Sequence, residues 1–101
     1  MDMKKVMREA QKMQKEMEAA QAEIALLTAE ASAGGGAVKV VASGDGSIQS
    51  IAIDPAAVDP EDVEMLEDLV LAAVNDALNS VSELANIRMS TVTGGMNLPG
   101  F

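Results

Sequence analysis

The side chains of this chain best suited to chemistry are five cations packed into its first fifteen residues: Lys4, Lys5, Arg8, Lys12 and Lys15. Against Asp2 and Glu9 they leave that stretch with a net charge of +3, whereas residues 16 to 101 carry only Lys39 and Arg88 against fourteen carboxylates, a net of −12. Clustered Lys and Arg neutralise phosphates and displace counterions, so the chemistry on offer is reversible attraction to a polyanion. The overall charge of −9 confines that attraction to one end. A plainer reading is a solvated helix face, because Lys5 with Glu9, Lys12 with Glu16 and Glu9 with Lys12 fall at i,i+4 or i,i+3 spacing, each pair worth roughly 0.2 to 0.5 kcal/mol.

Covalent catalysis has little to work with. The 101 residues include no His, Cys, Trp or Tyr, and Phe101 is the single aromatic. Without His or Cys there is no thiol nucleophile, imidazole base, disulfide or zinc-type site. The acids between Asp59 and Asp68 match no calcium-loop spacing, and nothing around them predicts the raised pKa of a general acid. Gly34 to Gly36 lack the preceding strand and the following Gly-Lys-Ser/Thr of a phosphate loop, so they read as a helix stop or hinge. The chain is therefore expected to be no enzyme and to take no cofactor or metal.

The cations need a scaffold, and the seam beside them supplies one. Met3, Val6, Ala10, Met13, Met17, Ala20, Ile24, Leu27 and Ala31 alternate at spacings of three and four, a heptad pattern kept for four repeats. With Asp2 as cap or first-turn acid and the glycines as stop, it predicts a helix over 2–31, roughly 45 Å long. Such a rod outreaches the rest of a 101-residue chain, so the seam requires a second copy to cover it. The methionines at Met3, Met7, Met13 and Met17 fit ordinary interface packing, with an adaptable protein-binding groove as the other use.

Residues 37–53 read as a hairpin, with room for a further short strand. An Asp45-Gly46 type I′ turn would set Val38 opposite Ile53, Val40 opposite Ile51 and Ala42 opposite Gln49, with a one-residue slip as the competing register. Two strands alone are marginal in water, so the sheet must pair or pack. Asp59-Pro60-Glu61-Asp62 then opens a helix expected over 60–92, with Asp59 as cap and a break conceivable near Asn86. Its apolar stripe includes Leu66, Leu69 and Val70. Residues 94–101 are a Gly- and Pro-containing tail, expected to be flexible unless it docks. The fold class is α+β in one domain over 1–101. No apolar run reaches the 18 residues of a membrane span and the Lys-rich start is unlike a signal peptide, so a cytoplasmic location is expected.

Certain residues within this order resemble the YbaB/EbfC nucleoid-associated protein family over nearly the whole chain. They are Met7-Arg-Glu-Ala-Gln-Lys-Met-Gln14, the Val-Lys-Val of 38–40, Gly44, Ile53-Asp54-Pro55, Glu64-Met-Leu-Glu-Asp-Leu-Val70, Ala72-Ala73, Asn75-Asp76-Ala77 and Gly95-Met-Asn-Leu-Pro-Gly-Phe101. The resemblance implies a tweezer-shaped homodimer, with long helices projecting from a sheet built by both subunits, that binds and shapes bacterial nucleoid DNA without catalysis. Effects on gene expression would follow. On this reading Lys4, Lys5, Arg8, Lys12 and Lys15 contact phosphates without reading bases. The dimer interface draws on Val38, Val40, Ile51, Ile53, Leu66, Leu69 and Val70. The acidic body departs from a uniformly basic DNA binder, and leaves open a non-enzymatic adaptor for a replication or repair protein with indirect DNA association.

Overall fold

A computed structural model describes residues 2–92. They form helix α1 (Met3–Leu26), strands β1 (Thr28–Ala33), β2 (Val38–Ser43) and β3 (Ile48–Ile53), a single 3-10 turn at Pro55–Ala57, and helix α2 (Val63–Val92). The strands make one antiparallel sheet in the order β1-β2-β3. The molecule is a rod, 72 Å long and 24 by 16 Å across.

The first helix is shorter than the heptad pattern predicts. Asp2 caps it, its carboxylate accepting from the backbone N–H groups of Lys4 and Lys5, but the chain leaves the helix at Leu27, where ψ is 145°. Thr28-Ala-Glu-Ala-Ser-Ala33 forms β1 instead, a six-residue strand whose alanines lie on the half-buried face and whose Thr28, Glu30 and Ser32 are exposed. Alanine's helix propensity is outweighed there by a tertiary reward: β2 gains a second ladder, and the two-stranded hairpin becomes a three-stranded sheet. Ala31, the last residue of the expected seam, sits opposite Val40. Gly34 to Gly36 are accordingly neither helix stop nor hinge; they form the β1–β2 turn, all three at positive φ (65°, 68° and 95°), a conformation glycine adopts without a Cβ penalty.

The β2–β3 hairpin holds both of the competing registers. Ser43 N–H donates to Ser47 O and Gly46 N–H to Ser43 O, closing a three-residue loop at Gly44-Asp45-Gly46 in place of the two-residue turn. Ala42 then faces Ile48, not Gln49. One residue further a bulge at Gln49 shifts the ladder, so that Val41 faces Ser50, Val40 faces Ile51 and Val38 faces Ile53. The bulge has a consequence for polarity: Ile48, Ile51 and Ile53, spaced three and two, all share the face of Ala42, Val40 and Val38.

α2 begins three residues later than Asp59-Pro60 predicts. Asp59 accepts from Glu61 N–H within a turn, and it is Asp62 whose carboxylate accepts from Met65 N–H at the start of the helix. No break occurs near Asn86. α2 lies across β1 and β2, and Ala73, Ala77 and Val81 close on Val38, Val40 and Ala42 to form the buried core. Alanines at the crossing let helix and sheet approach closely. The expected tail at 94–101 lies outside the described residues.

Candidate nucleic-acid interface

The arm is α1, and its residues divide by angle. At about 100° per residue, taking Met3 as zero, Lys4, Lys5, Arg8, Lys12 and Lys15 fall between about 100° and 200°. Met3, Val6, Ala10, Met13, Met17, Ala20 and Ile24 cluster about 160° away from the centre of that sector. The cations span about 16 Å along the axis. Every one of them is exposed.

Their surroundings leave them available. Among the described residues the ion pair within 4 Å joins Arg88 and Glu23, so Lys5–Glu9, Lys12–Glu16 and Glu9–Lys12 are not closed. Glu9, Glu16 and Glu23 flank the cationic sector without entering its middle. What the five side chains offer is a row of exposed positive charges of the kind that neutralise phosphates.

α2 anchors the root of the arm. Its last turns pack on the flank of α1 that carries Ala20, which is fully buried. There the Arg88 guanidinium donates through Nε to the Glu23 carboxylate at 2.6 Å and through Nη1 to Thr91 Oγ1 at 2.6 Å. The hydrogen bond and charge of Arg88 hold the Glu23 carboxyl below the ordinary range, and the same bond raises Arg88. A lone arginine in a long helix carries no motif, so its pairing over 65 residues has no sequence signal.

Beyond this contact the apolar side of the arm is uncovered. Met3 is 65% exposed and Met7 58%, with Val6 and Met17 also exposed. The sheet shows a similar margin: α2 covers β1 and β2, while Ile48, Ile51 and Ile53 at the β3 edge remain 36%, 47% and 39% exposed. On α2, Leu66, Glu67, Val70, Leu71 and Val74 line an open apolar groove of about 430 Å³. The seven expected interface residues therefore part company. Val38 and Val40 have no exposed surface, being sealed under α2 of their own protomer. Leu69 leans on the β1–β2 turn, 3.1 Å from where a Cβ on Gly34 would stand. Ile51 and Ile53 on β3 are exposed, and Leu66 and Val70 in the groove are half-buried.

At the other end of the sheet the β2–β3 turn is knit together by Asp45. Its Oδ1 accepts from Ser43 Oγ (2.6 Å), Ser47 Oγ (2.6 Å) and Ser47 N–H (2.9 Å). These bonds, those from Ser43 first, hold the Asp45 carboxyl down at about 2. A Ser-x-Asp-x-Ser run around glycines is a recognisable turn signal, missed when Asp45 is read only as a turn former.

Comparison with known proteins bears on the whole chain. The family model described as the YbaB/EbfC DNA-binding family matches residues 1–96. A nucleoid-associated protein of Ruminiclostridium cellulolyticum is 54% identical over 100 residues, covering 98% of this chain and 87% of that protein. One from Pelotomaculum thermopropionicum is 50% identical over 99 residues, covering 98% and 94%. The crystal structure of an uncharacterized protein from Helicobacter pylori has the same fold, with a TM-score of 0.77 at 24% identity over 93% of this chain and 99% of that one.

Proposed function

Since this chain belongs to the YbaB/EbfC DNA-binding family, we propose that it is a nucleoid-associated protein that grips duplex DNA through its α1 arms without reading sequence. One observation carries the assignment of the contact surface: five cations, unpaired among the described residues, occupy one sector of α1 opposite its apolar seam. An arm so divided can bury its methionines against protein while its charges face phosphate.

Gripping needs two arms. The uncovered apolar surfaces support a homodimer: the seam at Met3, Val6, Met7 and Met17, the isoleucine edge of β3, and the α2 groove. Exposed apolar surface on this scale marks an association site. Ile51, Ile53, Leu66 and Val70 supply the contact, with Val38 and Val40 supporting them from beneath. Two arms then present ten cations, while the acidic body is repelled by the duplex and limits the contact to the arms. Bound DNA is held and bent between the arms, with expression of nearby genes altered as a result.

The test is a fluorescence anisotropy titration of purified protein on unrelated duplexes at two salt concentrations. Similar affinities that fall together with salt are expected, log K declining by about 0.9 per neutralised phosphate for each unit of log salt. Absence of binding by the isolated protein, with retention on DNA only beside another protein, would move the assignment to an adaptor docking a replication or repair protein through the acidic body.

A further inference from the structure

We propose that the β2–β3 turn is the elbow of the arm, with Gly44 as the contact that fixes the direction in which α1 leaves the sheet. The proposal rests on the arm reading above only for its effect on DNA. Gly44 N–H donates to the carbonyl of Leu27, the residue that ends α1, at 2.9 Å. Its Cα lies against the last turn of the helix: a Cβ built on Gly44 would overlap the Ile24 carbonyl oxygen, and would stand 2.8 Å from the Ile24 carbonyl carbon and 3.2 Å from Ile24 Cγ2. Unlike Gly46, whose φ is 88°, Gly44 is not in the left-handed region. The absence of a side chain is required there by proximity alone.

The turn that makes this contact is stiff. Asp45 gathers Ser43 and Ser47 onto one carboxylate oxygen, Gly46 N–H closes onto Ser43 O, and Ser43 is buried. A rigid tip thus meets a helix end, and the Glu23–Arg88 bridge ties the same root to α2. Lys4 lies twenty residues from Ile24, about 30 Å along the axis, so a small displacement at the root becomes a large one at the cations. The hairpin loop, remote from the cations in sequence, sets where they stand.

The chain has no cysteine, so Gln11→Cys with Asp76→Cys, both at exposed positions, allows a spin-label pair between arm and body. Labelled chains diluted into excess unlabelled protein report the intrachain distance by pulsed electron paramagnetic resonance without DNA. In this background Gly44→Ala is expected to shift or widen the distribution by several ångströms with helical circular dichroism retained. Asp45→Ala, which loosens the turn without adding a clash, should widen it less. Gly35→Asn, at a left-handed turn with open space around it, should leave it unchanged whatever it does to thermal stability. A wild-type distribution in folded Gly44→Ala and Asp45→Ala overturns the elbow, as does an equal change in Gly35→Asn; should Gly44→Ala fail to fold, Asp45→Ala decides. Duplex affinity of Gly44→Ala is expected to fall by about tenfold or more, as a bivalent grip loses its geometry. A moved distance with unchanged affinity supports the elbow and overturns the arm as the DNA contact.

Discussion

Each cation on α1 is exposed and unpaired among the described residues, so removing one leaves no orphaned partner and should act on binding without acting on folding. Lys4→Glu, Lys5→Glu and Arg8→Glu together are therefore expected to weaken every duplex to a similar degree. They should also lower the dependence of log K on log salt by about 0.9 for each phosphate that the arm ceases to neutralise, with the melting temperature held within a few degrees. Selective weakening on one sequence would mean that bases are read, and an unchanged slope would take the arm out of the interface. Asp45 is the opposite kind of residue, wholly engaged with its neighbours. Because its folded pKa is lowered to about 2 from an ordinary 3.8, its contribution is complete above about pH 4 and disappears as pH falls toward 2. Asp45→Asn should flatten the part of the acid-unfolding profile in that window; a profile identical to the wild type would mean the turn bonds persist in the unfolded chain or add nothing.

The elements show where local pattern and tertiary demand part. Ala77 is fully buried where α2 crosses the sheet, packed in the cluster with Val38 and Val40. Ala77→Leu adds carbons that this crossing cannot hold, and is expected to destabilise by about 1 to 3 kcal/mol or more in urea unfolding. The same change at exposed Ala72 should be near neutral, and equal costs would mean that the crossing is loose. Gln49 is the residue the ladder does not use, so its deletion should be tolerated and give one continuous register with Val40 still facing Ile51; failure to fold would mean that the bulge's twist is needed to seat the sheet. Both helices, the hairpin and the apolar face of β2 were legible from spacing, because 3.6-fold and twofold periods leave separate marks. β1 was not, since Thr28-Ala-Glu-Ala-Ser-Ala33 continues a helical pattern and alternates as a strand at once, and only the presence of β2 beside it decides. The bulge was hidden for a related reason: it reconciles two registers that pattern alone treats as exclusive. On the candidate interface, the cationic stripe was readable from residue type, whereas the burial of Val38 and Val40 under their own α2 depends on a helix crossing that no local spacing encodes.

At the scale of the molecule, a rod 72 Å long carries positive charge at one end and, at the other, a sheet whose last strand is exposed at all six residues. Those two facts make association and DNA binding separable by mutation. Ile51 and Ile53 are 47% and 39% exposed, so Ile51→Glu with Ile53→Glu removes only part of their packing from the protomer, but sets two carboxylates on the edge proposed for the partner, where each copy would meet the other's like charges. The double variant is expected to sediment as a single folded copy where the wild type sediments as two. Its arms are untouched, so it should still associate with duplex, with about half the wild-type salt slope because half the cations engage, and with affinity reduced for want of a second attachment. A variant that remains a dimer would place the interface elsewhere, on the α1 seam or the α2 groove. A folded single copy that binds with the full slope and affinity would instead mean that one arm suffices, and that the two-armed grip is not how this protein holds DNA.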